Sequence, residues 1–204
     1  MQTILLATRN QKKCAELQSV LDAVDGQFRL LTVDAAPMSL PEVEEDGDTF
    51  ADNARKKAIT LAAASGMLTL ADDSGLCVDA LGGAPGVRSA RFAGEESDDA
   101  ANNALLLERL RDIDDRRAHF CCVLALAEPD GRCQTVSGVC EGALRKEPSG
   151  TSGFGYDPLF VPDGCDCTFA ELPQSDKHRI SHRGKALQEA LRIWVADGIC
   201  QLAS

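Results

Sequence analysis

The amino-acid sequence predicts a mixed α/β fold, and three patterns carry that expectation. Short apolar runs with strand character alternate with helical periods, a polar Pro-Asp-Gly turn separates two alternating segments, and no internal repeat or low-complexity linker interrupts the chain. Strands are expected over residues 3–8, 28–33, 68–71, 118–127 and 133–139. Between the last two, Glu128-Pro129-Asp130-Gly131-Arg132 has the composition of a β-hairpin turn. Part of the sheet should therefore be antiparallel, which argues against a purely parallel doubly wound fold. Helices are expected over 11–24, with Cys14, Leu17, Leu21 and Val24 on one face, around Lys57, over 98–110, and over 183–196, where Leu187, Ala190, Leu191 and Trp194 form an apolar stripe. The connections 82–94 and 142–155 are rich in glycine, a composition that fits functional loops and plain surface excursions equally.

Composition narrows the function classes. A chain of 204 residues, 44% hydrophobic and 26% charged, suits one domain over 1–204 and neither a disordered nor a fibrous protein. The longest apolar runs, 3–7, 59–64 and 123–127, fall far short of the roughly 18 residues a membrane span needs, so no membrane partner is expected. No basic leader with a small-residue cleavage site precedes the first strand pattern, and the cytoplasm is the expected location. The nine cysteines are odd in number and sit mostly in apolar strand patterns, which fits reduced thiols better than a disulfide framework. Neither Cys121-Cys122 nor Cys165-Asp166-Cys167 has zinc-ribbon spacing, and His178 with His182 lacks the Glu of a metalloprotease helix.

A net charge of -11 argues against nucleic acid as a partner. Ten of the 21 Lys and Arg nevertheless crowd into three short segments: Arg9, Lys12 and Lys13; Arg55, Lys56 and Lys57; Lys177, Arg179, Arg183 and Lys185. Basic clusters on an acidic body suit a compact polyphosphate.

Five constellations carry candidate chemistry. Thr8-Arg9-Asn10-Gln11-Lys12-Lys13 places hydroxyl, amide and ammonium groups where a strand gives way to a helix, and a helix N-terminus favours anions. The same residues fit an Asn10 N-cap followed by solvated lysines. No GxxxxGK[ST] or GxGxxG motif is present. In the second, Thr49 opens a capping box, Gly66 closes the helix, and a period of 100° per residue sets Lys57 on the apolar stripe with Phe50, Ala54 and Leu61. An inward lysine calls for an anionic partner or a path past the core. The third is Asp72-Asp73-Ser74-Gly75 at the end of a strand pattern, where alternation sends the two carboxylates opposite ways. With the acidic stretch containing Glu44 and Glu45, it supplies an all-oxygen donor set suited to magnesium or manganese; alone, it also fits an Asp-rich turn. In the fourth, Gly153-Phe154-Gly155-Tyr156-Asp157 offers close backbone approach and a flat ring for a base. The fifth, residues 177–185, holds donors able to read an exocyclic purine oxygen, or forms a solvated helix entrance.

Read in order, Thr8-x-Asn10-x-x-Lys13, Glu44-Glu45-x-Gly47-x-Thr49-Phe50-x-x-Asn53-Ala54, Lys57-Ala58, Asp72-Asp73-Ser74-Gly75, Gly82-Gly83-Ala84-Pro85-Gly86, Gly153-Phe154-Gly155-Tyr156-Asp157-Pro158 and Ser181-His182-Arg183-Gly184 closely resemble the inosine triphosphate pyrophosphatase family, the dITP/XTP diphosphatases. The match spans nearly the whole chain. The resemblance implies a long curved β-sheet flanked by helices, forming two lobes with a central cleft, and a homodimer. It also implies hydrolysis of ITP, dITP and XTP to the monophosphate and pyrophosphate with Mg2+, removing deaminated purines from the nucleotide pool. By position, Asp73 would be general base and metal ligand, Glu44 and Glu45 would complete the metal site, and Ser74 would contact substrate. The segment from Thr8 to Lys13, through Arg9, Gln11 and Lys12, would hold phosphates together with Lys57. Phe154, Gly155, Tyr156, Asp157, Lys177, His182 and Arg183 would hold base and sugar. The family usually has glycine where this chain has Arg9, so Arg9 must turn outward or add a contact. The rival readings are a pyrophosphatase of other base preference and a nucleotide-binding module without catalysis.

Overall fold

The computed structural model describes residues 2–23, 28–94 and 98–196. Its strands are β1 (Gln2–Leu6), β2 (Phe28–Thr32), β3 (Thr69–Val78), β4 (Arg117–Ala127), β5 (Cys133–Leu144) and β6 (Phe160–Pro162). Its α-helices are α1 (Gln11–Ala23), α2 (Phe50–Ser65), α3 (Asp99–Arg109), α4 (Gln174–Ile180) and α5 (His182–Ala196). The strands form one mixed sheet in the order β2-β1-β3-β4-β5-β6. β1 runs parallel to β2, with Gln2 opposite Phe28, and parallel to β3, whereas β5 and β6 are antiparallel. The expected turn joins β4 to β5: Glu128 N–H donates to the Arg132 carbonyl at 2.9 Å, and Gly131 takes φ 92. The α/β class and the mixed sheet expected from the pattern are thus the ones observed. Val24, expected on the face of the first helix, lies outside the described residues.

The chain divides into two compact units whose segments interleave along the sequence. The first takes residues 2–73, 122–138 and 183–196 of the described chain; the second takes 74–121 and 139–182. β3, β4 and β5 each contribute residues to both. In the first unit, Leu17 and Leu21 of α1 and Leu187, Ala190, Leu191 and Trp194 of α5 bury against Ile4, Leu6, Leu70 and Leu124. The apolar stripe of the last helix is therefore core, as its period predicts. In the second unit, Leu106 of α3 packs with Leu76, Phe120, Tyr156, Phe160 and Phe169, and the rings of Phe120 and Phe160 meet edge to face at 4.8 Å.

Three local differences from the sequence reading have physical causes. β3 does not end before the carboxylates but continues through Asp72-Asp73-Ser74-Gly75 to Val78. Asp72 and Asp73 have cationic partners within the protein, so the polar run needs no solvent. A Cβ on Gly75 would meet Ser89 Oγ and the Gly86 carbonyl, so a glycine lets the strand lie against that segment. The glycine-rich stretch 82–94 contains a 3-10 helical turn over Gly86–Arg91, and Ser89 Oγ accepts the Leu76 N–H at 2.9 Å. The charge run before the last helix begins inside α4, which follows Pro173. Among the described residues, no helix is long and apolar enough to cross a membrane, and the eight described cysteines are free thiols.

Leu187 is fully buried in the first core, so Leu187→Ala should destabilise the fold by about 2–5 kcal/mol in denaturant titration. A change below about 0.5 kcal/mol would show that α5 does not depend on this face.

Candidate active site

In the first unit, β3 presents Asp72 and Asp73 to opposite faces, and each enters a different set of contacts. Asp72, with no exposed side-chain surface, takes Lys13 Nζ at 2.5 Å on Oδ1. Its Oδ2 accepts Arg183 Nε at 3.2 Å and Cys122 Sγ at 3.2 Å. Arg183 in turn gives Nη1 to Glu16 Oε2 at 2.9 Å. Burial opposes the charge on Asp72, yet the Lys13 ammonium and Arg183 guanidinium outweigh it and hold this carboxyl well below the usual range. Asp72 is therefore a fixed anion that orients two cations.

Asp73 meets the other cation. Thr49 caps α2 by accepting the Asp52 N–H at 3.1 Å, its hydroxyl meets Asp52 Oδ2 at 2.7 Å, and Gly66 closes the helix at φ 68, so the expected N-cap and stop are both present. The helical period then buries Lys57, 7% exposed. Its ammonium donates to the Asp72 carbonyl at 2.8 Å and lies 3.2 Å from Glu45 Oε1 and 3.9 Å from Asp73 Oδ1. Burial is the main influence on Asp73 and pushes it up to about 6, against the pull of Lys57 and then Lys13.

Glu45 reaches Lys57 because its loop is pinned one helical turn earlier. The Gly47 N–H donates to Asn53 Oδ1 at 2.8 Å, and Asn53 Nδ2 returns a bond to the Gly47 carbonyl at 3.4 Å. A Cβ on Gly47 would stand 2.8 Å from Asn53 Oδ1 and 2.9 Å from Asp52 Cβ, so a larger residue would push the loop off α2. Glu44 is exposed. Among the described residues, no three His, Cys, Asp or Glu side chains gather as a metal cluster. The linked groups are Lys13, Lys57 and Arg183 against Glu16, Glu45, Asp72 and Asp73, three cations and four carboxylates, a net charge of minus one when all are ionised. An anionic, all-oxygen pair such as Glu45 and Asp73 fits magnesium, which is held by one or two carboxylates with substrate phosphates completing its shell.

The first segment is a helix entrance. Asn10 Oδ1 accepts the N–H groups of Lys12 and Lys13 at 3.0 and 3.2 Å, and Thr8 Oγ1 accepts the Asn10 N–H at 3.1 Å. Gln11 and Lys12 are exposed, while Thr8 and Lys13 are half-buried. Arg9 turns outward and meets Asp34 at 3.3 Å and Glu42 at 3.6 Å. The residue that replaces glycine is thus drawn toward two surface carboxylates.

The second unit gathers another set. Asp157 Oδ2 accepts the Phe154 N–H at 2.8 Å and Lys177 Nζ at 2.6 Å. The Lys177 ammonium also lies 5.2 Å from the centroid of the Phe154 ring, within cation–π range. Gly153 has φ 80, and a Cβ there would strike the Asp157 carboxylate, so this turn admits only glycine. The Tyr156 hydroxyl donates to the Ser89 carbonyl at 2.9 Å, and burial first of all keeps that phenol protonated. His182 is buried, its ring stacked on Phe120 at 4.7 Å. Ser74, half-buried, follows Asp73 on β3. Phe154, Gly155, Tyr156, Asp157 and Lys177 are therefore brought together, whereas Arg183 belongs to the Asp72 network. Glu16, Cys122 and Asn53 complete these arrangements without having been singled out for a role from the sequence; only the motif containing Asn53 offered a signal.

Residues 4–193 match the model of the Ham1 family. A protein named dITP/XTP pyrophosphatase from Desulforamulus reducens is 53% identical over 192 residues, 93% of this chain and 94% of that protein. Another of that name from Streptomyces avermitilis is 50% identical over 195 residues, 95% of this chain and 97% of its own length. The solved structure of a HAM1 protein from Coxiella burnetii superposes with a TM-score of 0.86 at 41% identity, covering 96% of this chain and all of that one. With the family model running from the first strand into the last helix and half of the residues shared with such relatives, this chain belongs to the Ham1 family.

Proposed function

We propose that this protein hydrolyses the deaminated purine nucleoside triphosphates ITP, dITP and XTP to the monophosphate and pyrophosphate, cleansing the nucleotide pool. The observation that carries the reading is the meeting of the Lys57 ammonium with the Glu45 and Asp73 carboxylates, beside Lys13 on Asp72. A polyphosphate ester demands this mixture, because cations must hold the phosphates while carboxylates hold a divalent ion and take up a proton. The base class is supported by relatives named for dITP and XTP at 53% and 50% identity.

Glu45 and Asp73 are the residues that would hold Mg2+, with Glu44 adjacent in the chain. The bound ion would neutralise charge on the phosphate oxygens. Lys13 and Lys57 hold phosphate oxygens, assisted by Thr8, Asn10 and the neighbouring Arg9, Gln11 and Lys12. A water oxygen attacks the α-phosphorus as the bridging bond to the β-phosphate breaks; the water proton passes to an Asp73 carboxylate oxygen, and pyrophosphate leaves. A carboxyl raised to about 6 is a stronger proton acceptor than an ordinary aspartate, which suits it to this role. Phe154 offers its ring to the base, and Lys177 and His182, with Gly155, Tyr156 and Asp157, shape the donors that favour a 6-keto purine. Ser74 contacts the substrate, and Arg183 holds Asp72 in place beneath the phosphate cations. Homodimeric assembly, which the resemblance implies, and a cytoplasmic location are part of the same proposal.

Asp73→Asn should lower kcat by about 10²- to 10⁴-fold while nucleotide binding and the folded circular-dichroism spectrum persist. Unchanged turnover would remove Asp73 as the base. Chelation with EDTA should abolish hydrolysis of dITP, and added magnesium should restore it; full activity in the chelator would refute a metal requirement. Phosphorus NMR of the products should reveal dIMP and pyrophosphate, and orthophosphate as the first product would place the attack at the terminal phosphate instead.

A further inference from the structure

Gly155 stands between Phe154 and Tyr156 at φ 61, a conformation that glycine adopts freely and also leaves freely. Both of its main-chain polar groups are held from α3. The Gly155 N–H donates to Asp99 Oδ2 at 2.9 Å, and the Gly155 carbonyl accepts Asn103 Nδ2 at 2.8 Å. Asp99 and Asn103 are four residues apart, on one face of the helix. Asn103 Nδ2 also donates to the Asp99 carbonyl at 2.7 Å, which ties the clamp to the helix backbone. Because both groups facing this amide are carbonyls, its NH2 end must be the one in the clamp. The helix is itself anchored: Asp98 caps it by accepting the N–H groups of Ala100 and Ala101, and Leu106 is fully buried in the core of the same unit.

We infer that Asp99 and Asn103 are positioning residues for base recognition, fixing the Gly155 peptide and through it the orientation of the Phe154 ring. The inference rests on the reading that Phe154 and Lys177 take the base. Asp157 and Lys177 secure one side of Phe154, since Asp157 receives both the Phe154 N–H and the Lys177 ammonium. α3 secures the other side. With the α3 bonds gone, the 154–156 main chain samples conformations in which the ring no longer meets a base, and substrate binding must restore the order. The carboxylates and lysines assigned to the phosphates belong to the other unit, so the loss falls on KM and on base discrimination more than on kcat.

The test compares wild type with Asp99→Ala, Asp99→Asn, Asn103→Ala and Phe154→Ala, measuring kcat and KM for ITP and ATP together with amide exchange at Gly155. Asp99→Ala and Asn103→Ala should raise KM for ITP by about tenfold, narrow the preference over ATP, and leave kcat within about twofold. Exchange of the Gly155 amide should quicken in Asp99→Ala. Asp99→Asn, whose side-chain oxygen still accepts a hydrogen bond, should stay within about twofold of wild type throughout. If Phe154→Ala raises KM and narrows the preference but the two alanine variants on α3 do neither, the inference is overturned and the base site stands. If Phe154→Ala changes neither quantity, the base-site reading fails and takes the inference with it.

Discussion

The arrangement depends on two successive carboxylates being carried on one extended strand. Because β3 continues through Asp72 and Asp73, their side chains must part, one into a buried set of ion pairs and the other toward Lys57 and Glu45. A turn at that point would have allowed both to hydrogen-bond their own backbone. The strand instead gives them unlike environments. Asp72, facing Lys13 and Arg183, is held well below the usual carboxylate range, while Asp73, buried with weaker compensation, is raised to about 6. One residue type thus supplies an anchor and, in the proposed function, a proton acceptor in adjacent positions.

The anchor organises cations as much as it neutralises them. Lys13 enters from α1, Arg183 from the start of α5 and Lys57 from α2, the last through the Asp72 carbonyl rather than its side chain. α1 and α5 are held in turn by the apolar face that they share with the strands. Core packing in the first unit therefore sets the positions of charged groups that would otherwise be free on long, flexible stems. Loops are treated similarly in both units: Asn53 of α2 grips the main chain at Gly47, and Asp99 with Asn103 of α3 grips it at Gly155. In each case a side chain on a helix fixes a glycine two residues or fewer from a proposed site residue, Glu45 in one and Phe154 in the other.

Local physics made part of this legible in the sequence. The inward aspect of Lys57 follows from the helical period, the hairpin from Pro129-Asp130-Gly131, and the parting of Asp72 and Asp73 from strand alternation. The partners of those groups were not legible, because Arg183 meets Asp72 across 111 positions and Glu16 across 167, and Cys122 reaches Asp72 across 50. No local pattern encodes such pairs. β6, with three residues, is too short to display alternation, and the two turns of α4 were hidden by a run of charges. The spacing of Asp99 and Asn103 was visible on a helix, but their common partner lies more than 50 residues away. Arg9 was a departure whose resolution, a pair of surface carboxylates, likewise needed tertiary structure.

If the Glu45 and Asp73 carboxylates are the seat of a divalent ion, the most direct measurement is an electron paramagnetic resonance titration of Mn2+ against wild type, Glu45→Gln and Asp73→Asn in the presence of a non-hydrolysable ITP analogue. Each substitution should weaken Mn2+ binding on the order of tenfold or more while the protein stays folded. Wild-type affinity in both variants would place the ion elsewhere and contradict the account.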